Sequence, residues 1–239
     1  MPTAAPLPVI SPAKNRKQPT FLSATRIHES FLASQEKRLL IVLAERAPAW
    51  LNSDHLTILG FVSQCLAGVC YAVARFHPNA LLVGIVFLAL NWLGDSLDGT
   101  LARVRNRQRP RYGFYVDHVA DSIAALFLMG GMTLSGYVHP GIAIGMLIVF
   151  LLLSIEAYLA TYTLGCFQLS YFSFGPTEIR ILLAIGNLVL LAHPTVKILG
   201  GTLLLFDVGG SSAICGMALM LIVSSIRHTA QLYREERLS

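Results

Sequence analysis

The sequence predicts an all-α integral membrane protein: a bundle of six transmembrane helices, with an amphipathic helix lying at the interface on its N-terminal side. Two observations carry that class. Hydrophobic residues make up 54% of the 239 and charged ones only 13%, with a mean hydropathy of +0.62, whereas soluble domains carry roughly 25% charge. Apolar stretches of about the length of a bilayer crossing recur at 56–74, 80–102, 115–137, 141–164, 177–193 and 209–227.

Residues 1–20 hold Pro2, Pro6, Pro8, Pro12 and Pro19 with Lys14, Arg16 and Lys17 and no apolar core. They read as a disordered basic tail rather than a signal peptide or a helix. From about 27 to 47, Ile27, Phe31, Leu32, Leu39, Leu40, Val42 and Leu43 are set among Glu29, Glu36, Lys37, Arg38, Glu45 and Arg46. That pattern suits a helix in the interface plane, so 21–52 forms a juxtamembrane segment broken at Pro48 and Asn52. The bundle domain then runs over 53–230, with 231–239 as a cytoplasmic tail. Within it, 195–208 is apolar but too short to span and reads as an extended external loop. Cys65, Cys70, Cys166 and Cys215 lack metal spacing and read as buried small hydrophobes.

Basic residues set the orientation. With six spans, the termini and the loops 103–114 and 165–176 share a side that holds most of the lysines and arginines, including Arg103, Arg105, Arg107, Arg109 and Arg111; the opposite side has only Arg75 and Lys197. By the positive-inside rule the crowded side is cytoplasmic. The net charge of +5 favours anionic headgroups and phosphate-bearing ligands. Nothing points to nucleic acid.

Against this apolar background, Asp95, Asp98, Asp117 and Asp121 stand in Gly94-Asp-Ser-Leu-Asp-Gly-Thr-Leu-Ala-Arg103 and Gly113-Phe-Tyr-Val-Asp-His-Val-Ala-Asp121. Carboxylates in a membrane helix are costly unless paired or facing a polar cavity. At i, i+3 and i, i+4 each pair shares a helix face and can close around an ion. Oxygen ligands without histidine or cysteine favour magnesium, manganese or calcium, and two such ions would suit a displacement at phosphorus. Gly99 and Ala102 leave room for a ligand against the backbone, and Arg103 offers a fork for phosphate. Helix-end carboxylates balanced by nearby arginines are the plainer reading of any one pair.

These residues match every fixed position of D-x2-D-G-x2-A-R and G-x3-D-x3-D, and so the chain resembles the CDP-alcohol phosphotransferases (CDP-alcohol phosphatidyltransferases), membrane enzymes of phospholipid synthesis. Ser53-Asp-His-Leu-Thr57 is similar to the family's P-N-x-L-T element; Ser53 and Asp54 depart from it, and only Thr57 is carried over. The resemblance implies transfer of a substituted phosphate from a CDP-linked donor to an alcohol acceptor, with release of CMP and two Mg2+ or Mn2+ ions as cofactors. It makes Asp95, Asp98, Asp117 and Asp121 metal ligands, with Asp121 also the general base. It assigns Gly99, Ala102, Arg103, Gly113 and Thr57 to the CDP moiety.

Chain length and span number resemble members that use CDP-diacylglycerol, which implies a bacterial inner membrane with the site facing the cytoplasm and leaves a homodimer open. In contrast, His118 and Ser122, in D-H-x-x-D-S, are similar to enzymes that join CDP-choline or CDP-ethanolamine to diacylglycerol. Arg180, in Gly175-Pro-Thr-Glu-Ile-Arg180, either follows a helix cap at Thr177 and Glu178 or points inward to bind an acceptor phosphate. Glu156 either faces a cavity or packs helices together. A divalent-cation transporter is the reading from another class, since intramembrane carboxylates also mark ion paths.

Overall fold

The computed structural model describes residues 25–27, 33–168, 175–198 and 200–236. The basic tail over 1–20, Glu29, Phe31 and Leu32 of the amphipathic segment, and 169–174 within one basic loop lie outside the described residues. The order of elements is β1 (Thr25–Ile27), α1 (Ala33–Arg46), α2 (Ser53–Ala74), α3 (Ala80–Val104), α4 (Pro110–Ser135), α5 (Pro140–Leu164), β2 (Cys166–Gln168), α6 (Pro176–Ala192), β3 (Thr195–Ile198), β4 (Gly201–Leu204) and α7 (Leu205–Glu235). β1 pairs in parallel with β2, and β3 pairs antiparallel with β4.

Helix ends follow local chemistry. Pro110, Pro140 and Pro176 open α4, α5 and α6 at the first helical position, where a missing N–H costs nothing. Gly136 and Gly165 close α4 and α5 in the left-handed region, at φ 78° and 67°. At the start of α5 the His139 side chain accepts from Gly141 N at 3.2 Å, while the His139 backbone N–H donates to Asp207 Oδ1 of α7 at 2.6 Å.

Five helices, α2 to α5 and α7, are long and apolar enough to cross a membrane, which marks a multi-pass membrane protein. α6 has 17 residues, about 25 Å at 1.5 Å per residue, slightly less than a hydrocarbon core of about 30 Å. The 195–208 segment forms the β3–β4 hairpin, turning at Gly200 with φ 82°, and runs straight into α7. That helix runs past the apolar stretch at 209–227 at both ends, with Asp207 in its first turn and Arg234 in its last.

The core centres on Ala67, Tyr71, Leu81, Leu88, Leu128, Met132 and Leu190. Tyr71 donates to Asn187 Oδ1 at 2.8 Å, and Asn187 donates to Leu81 O at 3.5 Å, so both buried polar groups are satisfied and tie α2, α3 and α6 together. Glu156 of α5 meets His228 Nδ1 of α7 at 2.5 Å, a contact that joins the two helices. Cys70 is buried, whereas Cys215 is exposed rather than packed inside. On α1, Leu40 and Ala44 are buried against Leu56, Leu97 and Leu101.

Two glycine contacts set the site. A Cβ at Gly94 of α3 would lie 2.5 Å from Gly60 N of α2, and one at Gly131 of α4 would overlap the Gly68 carbonyl of α2. α2 therefore lies backbone to backbone with both of its neighbours. This draws α3 and α4, which carry the carboxylates, toward a common partner.

Candidate active site

The start of α2, the end of α3, the start of α4 and the end of α5 gather at one end of the bundle around a pocket of about 240 Å³. It is lined by Ser53, Asp54 and Thr57, by Asp98, Gly99, Ala102 and Arg103, by 107–110, by Tyr112, Gly113, Phe114, Val116, Asp117 and His118, and by Thr161. Every residue assigned above to the CDP moiety is among them. Gly113 borders open space. Arg103 donates to Thr100 Oγ1 at 2.9 Å, a bond from its own helix that holds the exposed guanidinium at the pocket wall.

Deeper in the bundle, a cavity of about 20 Å³ is lined by Asp95, Asp98, Asp117 and Asp121 together with Thr57, Asn91 and Gln64. Thr57, Asp98 and Asp117 line both spaces, so the cavities adjoin. Asp121 lies within the electrostatic reach of Asp95, Asp117 and Asp98, and also of Arg180. Asp98, 8% exposed, accepts from Thr57 Oγ1 at 2.7 Å and from the backbone N–H of Gly99. Ser53 Oγ donates to Asp98 O at 2.8 Å, fastening the start of α2 to the same residue.

Arg180 does reach inward. Its Nη2 meets Asp95 Oδ2 at 2.7 Å and its Nε donates to Asn91 Oδ1 at 2.7 Å. With 15% of its side chain exposed, it is first of all the partner of a metal-ligand candidate. Asn91 in turn donates to Gly60 O at 2.9 Å. Asn91 was missed in the sequence, although a polar side chain at i, i+4 and i+7 with Asp95 and Asp98 in an apolar stretch lies on the same helix face. His118 has its Nδ1 2.6 Å from Phe114 O and its ring 4.1 Å from Phe114 and 4.7 Å from Tyr158. At the mouth, Arg109 pairs with Asp54 and lies 4.2 Å over the Tyr112 ring.

The donor set fits a hard divalent cation. Four carboxylates on two helices surround one small polar space, with no nitrogen or sulfur ligand among the lining residues. Among the described residues no three His, Cys, Asp or Glu side chains already close on one point. Asp95 is drawn toward Arg180, and Asp98 toward Thr57 and Gly99.

Comparison with known proteins agrees with this geometry. Residues 50–225 match the family model described as CDP-alcohol phosphatidyltransferase. The chain is 30% identical over 111 residues to the archaetidylinositol phosphate synthase of Methanothermobacter thermautotrophicus, covering 46% of this chain and 52% of that protein. It is 32% identical over 95 residues to cholinephosphotransferase 1 of Gallus gallus, covering 37% of this chain and 28% of that one. The alignments thus span about half, or less, of these relatives' length. The family model spans most of this chain, from just before α2 into α7, and includes both carboxylate helices: the chain belongs to the CDP-alcohol phosphatidyltransferase family.

Proposed function

We propose that this protein transfers a substituted phosphate from a CDP-linked donor, CDP-diacylglycerol, to an alcohol and releases CMP. The observation that carries the reading is the adjoining pair of cavities, one lined by Gly99, Ala102, Arg103 and Gly113 and the other by Asp95, Asp98, Asp117 and Asp121. That arrangement supports the binding of a phosphate-bearing nucleotide beside a cluster of carboxylates.

The donor lies in the outer pocket, with the glycine and alanine surfaces against the nucleotide and Arg103 on the pyrophosphate. Asp95, Asp98, Asp117 and Asp121 would hold two Mg2+ or Mn2+ ions. When bound, these neutralise the pyrophosphate and stabilise charge on the entering and leaving oxygens. Asp121 accepts the proton of the alcohol as its oxygen bonds to the phosphorus distal to the cytidine. The bond from that phosphorus to the bridging oxygen breaks, and CMP departs with the electron pair. Arg180 fixes Asp95 and stands ready beside the acceptor's own phosphate. His118, Nδ1 tied to the Phe114 carbonyl, is a wall of the donor pocket.

Six membrane crossings fit the domain 53–230 if α6 spans with a slight thinning of the bilayer, while α1 lies in the interface. The start of α2 and the end of α3 then open to the cytoplasm, where CDP-activated substrates are available. The transport reading is set aside, because the carboxylate cavity adjoins the large pocket at one end of the bundle and Arg180 is bonded to Asp95.

A second donor chemistry is favoured by one observation. Asp117-His118 with Asp121-Ser122 is the D-H-x-x-D-S arrangement, and a cholinephosphotransferase is among the relatives. Purified protein assayed for CMP release with CDP-diacylglycerol and a panel of phosphorylated and free alcohols, against CDP-choline and CDP-ethanolamine with diacylglycerol, decides between them. No CMP from any combination would refute the function itself.

A further inference from the structure

Glu36 of α1 is placed unusually for an acidic residue on a surface helix. Its Oε1 accepts from Trp92 Nε1 at 2.7 Å and Ser96 Oγ at 3.1 Å, both on α3, and from Thr177 Oγ1 of α6 at 3.1 Å, with Oε2 at 3.2 Å from the same hydroxyl. Ser96 adjoins Asp95. Thr177 precedes Arg180 by three residues, about 4.5 Å along the helix. The same two helices are thus joined twice, once through Glu36 and once through Arg180 on Asp95 and Asn91.

Anchoring α1 does not require this carboxylate to reach α6, since Leu40 and Ala44 already seat α1 on Leu97 and Leu101. Thr177 stands at the start of α6, a helix that packs chiefly on α3. We infer that Glu36 is a positioning residue for the transfer reaction: it holds the first turn of α6 against α3 so that Arg180 meets Asp95 at the edge of the carboxylate cavity. The inference rests on the proposed function only for its kinetic consequence, because the tether itself is a geometric statement.

An anion with three donors is matched best by another group that accepts at the same place. Glutamine keeps Oε1 for Trp92, Ser96 and Thr177, and its amide can donate to the Thr177 hydroxyl. Alanine removes the junction. The donor pocket is lined by α2 to α5 and the loop before α4, without α6, so loosening α6 should spare donor binding and harm turnover.

Two measurements test this on the full chain in detergent or nanodiscs. For the first, nitroxides at Ile179→Cys on α6 and Val104→Cys on α3, both exposed at 53% and 38%, with the four native cysteines replaced, report the distance between the helices by double electron–electron resonance. E36A should broaden that distribution, and E36Q should leave it narrow. For the second, E36A should lower kcat by about 10²-fold, the scale of a displacement of about 1 Å, while the KM for the CDP donor stays within about twofold; E36Q should recover most of the loss. An unchanged distance distribution in E36A overturns the tether. Equal losses in E36A and E36Q, or a rise in donor KM matching the fall in kcat, overturn the positioning role. If the wild-type protein releases no CMP from any donor, the proposed function fails, and the spin-label measurement still decides the tether.

Discussion

Gly94→Ala should cripple the proposed transfer without touching an ionisable group. The added Cβ would lie 2.5 Å from Gly60 N, 2.6 Å from Leu56 O and 2.7 Å from Gly60 Cα, all backbone atoms of α2 that cannot rotate away. Ordinary contact begins at 3.4 Å, so α2 and α3 must part locally by about 0.9 Å. Thr57 to Asp98, on the same interface, then stretches from 2.7 Å to about 3.6 Å, which is no longer a hydrogen bond. Asn91, which donates to Gly60 O at 2.9 Å, loses its hold as well. Overpacking of this kind costs about 1–3 kcal/mol and a stranded buried amide about 1–3 kcal/mol more, against roughly 0.5–1 kcal/mol gained by replacing glycine with alanine in a helix. CMP release should fall by about 10²-fold, since a displacement of about 1 Å at the reacting groups has that effect, and the thermal unfolding midpoint in detergent should drop. Gly130→Ala, where nothing lies within 4 Å, is the control and should unfold at or slightly above the wild-type temperature. Wild-type turnover and melting in Gly94→Ala would refute the claim that this contact sets the carboxylate geometry.

Asp121→Asn should keep CDP-donor binding by calorimetry and lose turnover by about 10²-fold or more; near wild-type turnover would move the base elsewhere. A chelator should abolish CMP release and magnesium or manganese restore it, whereas full activity in excess chelator would remove the ions from the mechanism. Cysteine labelling should reach position 197 from outside sealed cells and position 107 only after permeabilisation; the reverse would invert the topology. His228→Ala leaves Glu156, only 13% exposed, without this partner and should lower stability by about 1–3 kcal/mol. Adding Glu156→Gln should recover much of that loss, and a thermal melt of the two variants decides it.

Much of this was legible from residue types alone. Helix starts at prolines and ends at glycines are local events, and apolar length carries the crossings, so α2 to α5 lie close to where composition puts them. The carboxylates share a face by spacing, and the Gly99, Ala102, Arg103 and Gly113 positions fall on one pocket because they occupy the facing ends of two helices. What pattern could not supply was partnership at long separation. Arg180 lies 85 residues from Asp95, Glu36 lies 141 from Thr177, and His228 lies 72 from Glu156. A helical period places a side chain on a face but does not say which helix that face meets. The hairpin at 195–204 was hidden for a related reason: its residues are as apolar as those of a helix, and only the turn at Gly200 separates them.

The basic stretch from the end of α3 to the start of α4 shows why counting charges underdescribes a membrane protein. For orientation the five arginines from 103 to 111, one at the end of α3, three between the helices and one at the start of α4, are interchangeable, since the positive-inside rule counts each about equally. Their contacts differ. Arg103 is braced by Thr100 on the wall of the large pocket. Arg105 donates to Leu51 O, and at 2.9 Å to Ala47 O and Pro48 O, fastening the chain between α1 and α2 to the end of α3. Arg109 pairs with Asp54 across the pocket mouth. Guanidinium groups suit all three tasks, because a planar fork can serve several carbonyls or a carboxylate while keeping its charge. Lysine in the same positions would preserve the orientation but could not satisfy three carbonyls at Arg105 in one plane. Topology and site assembly are therefore separable properties of the same stretch: arginine-to-lysine changes should leave the first intact and weaken the second, most of all at position 105.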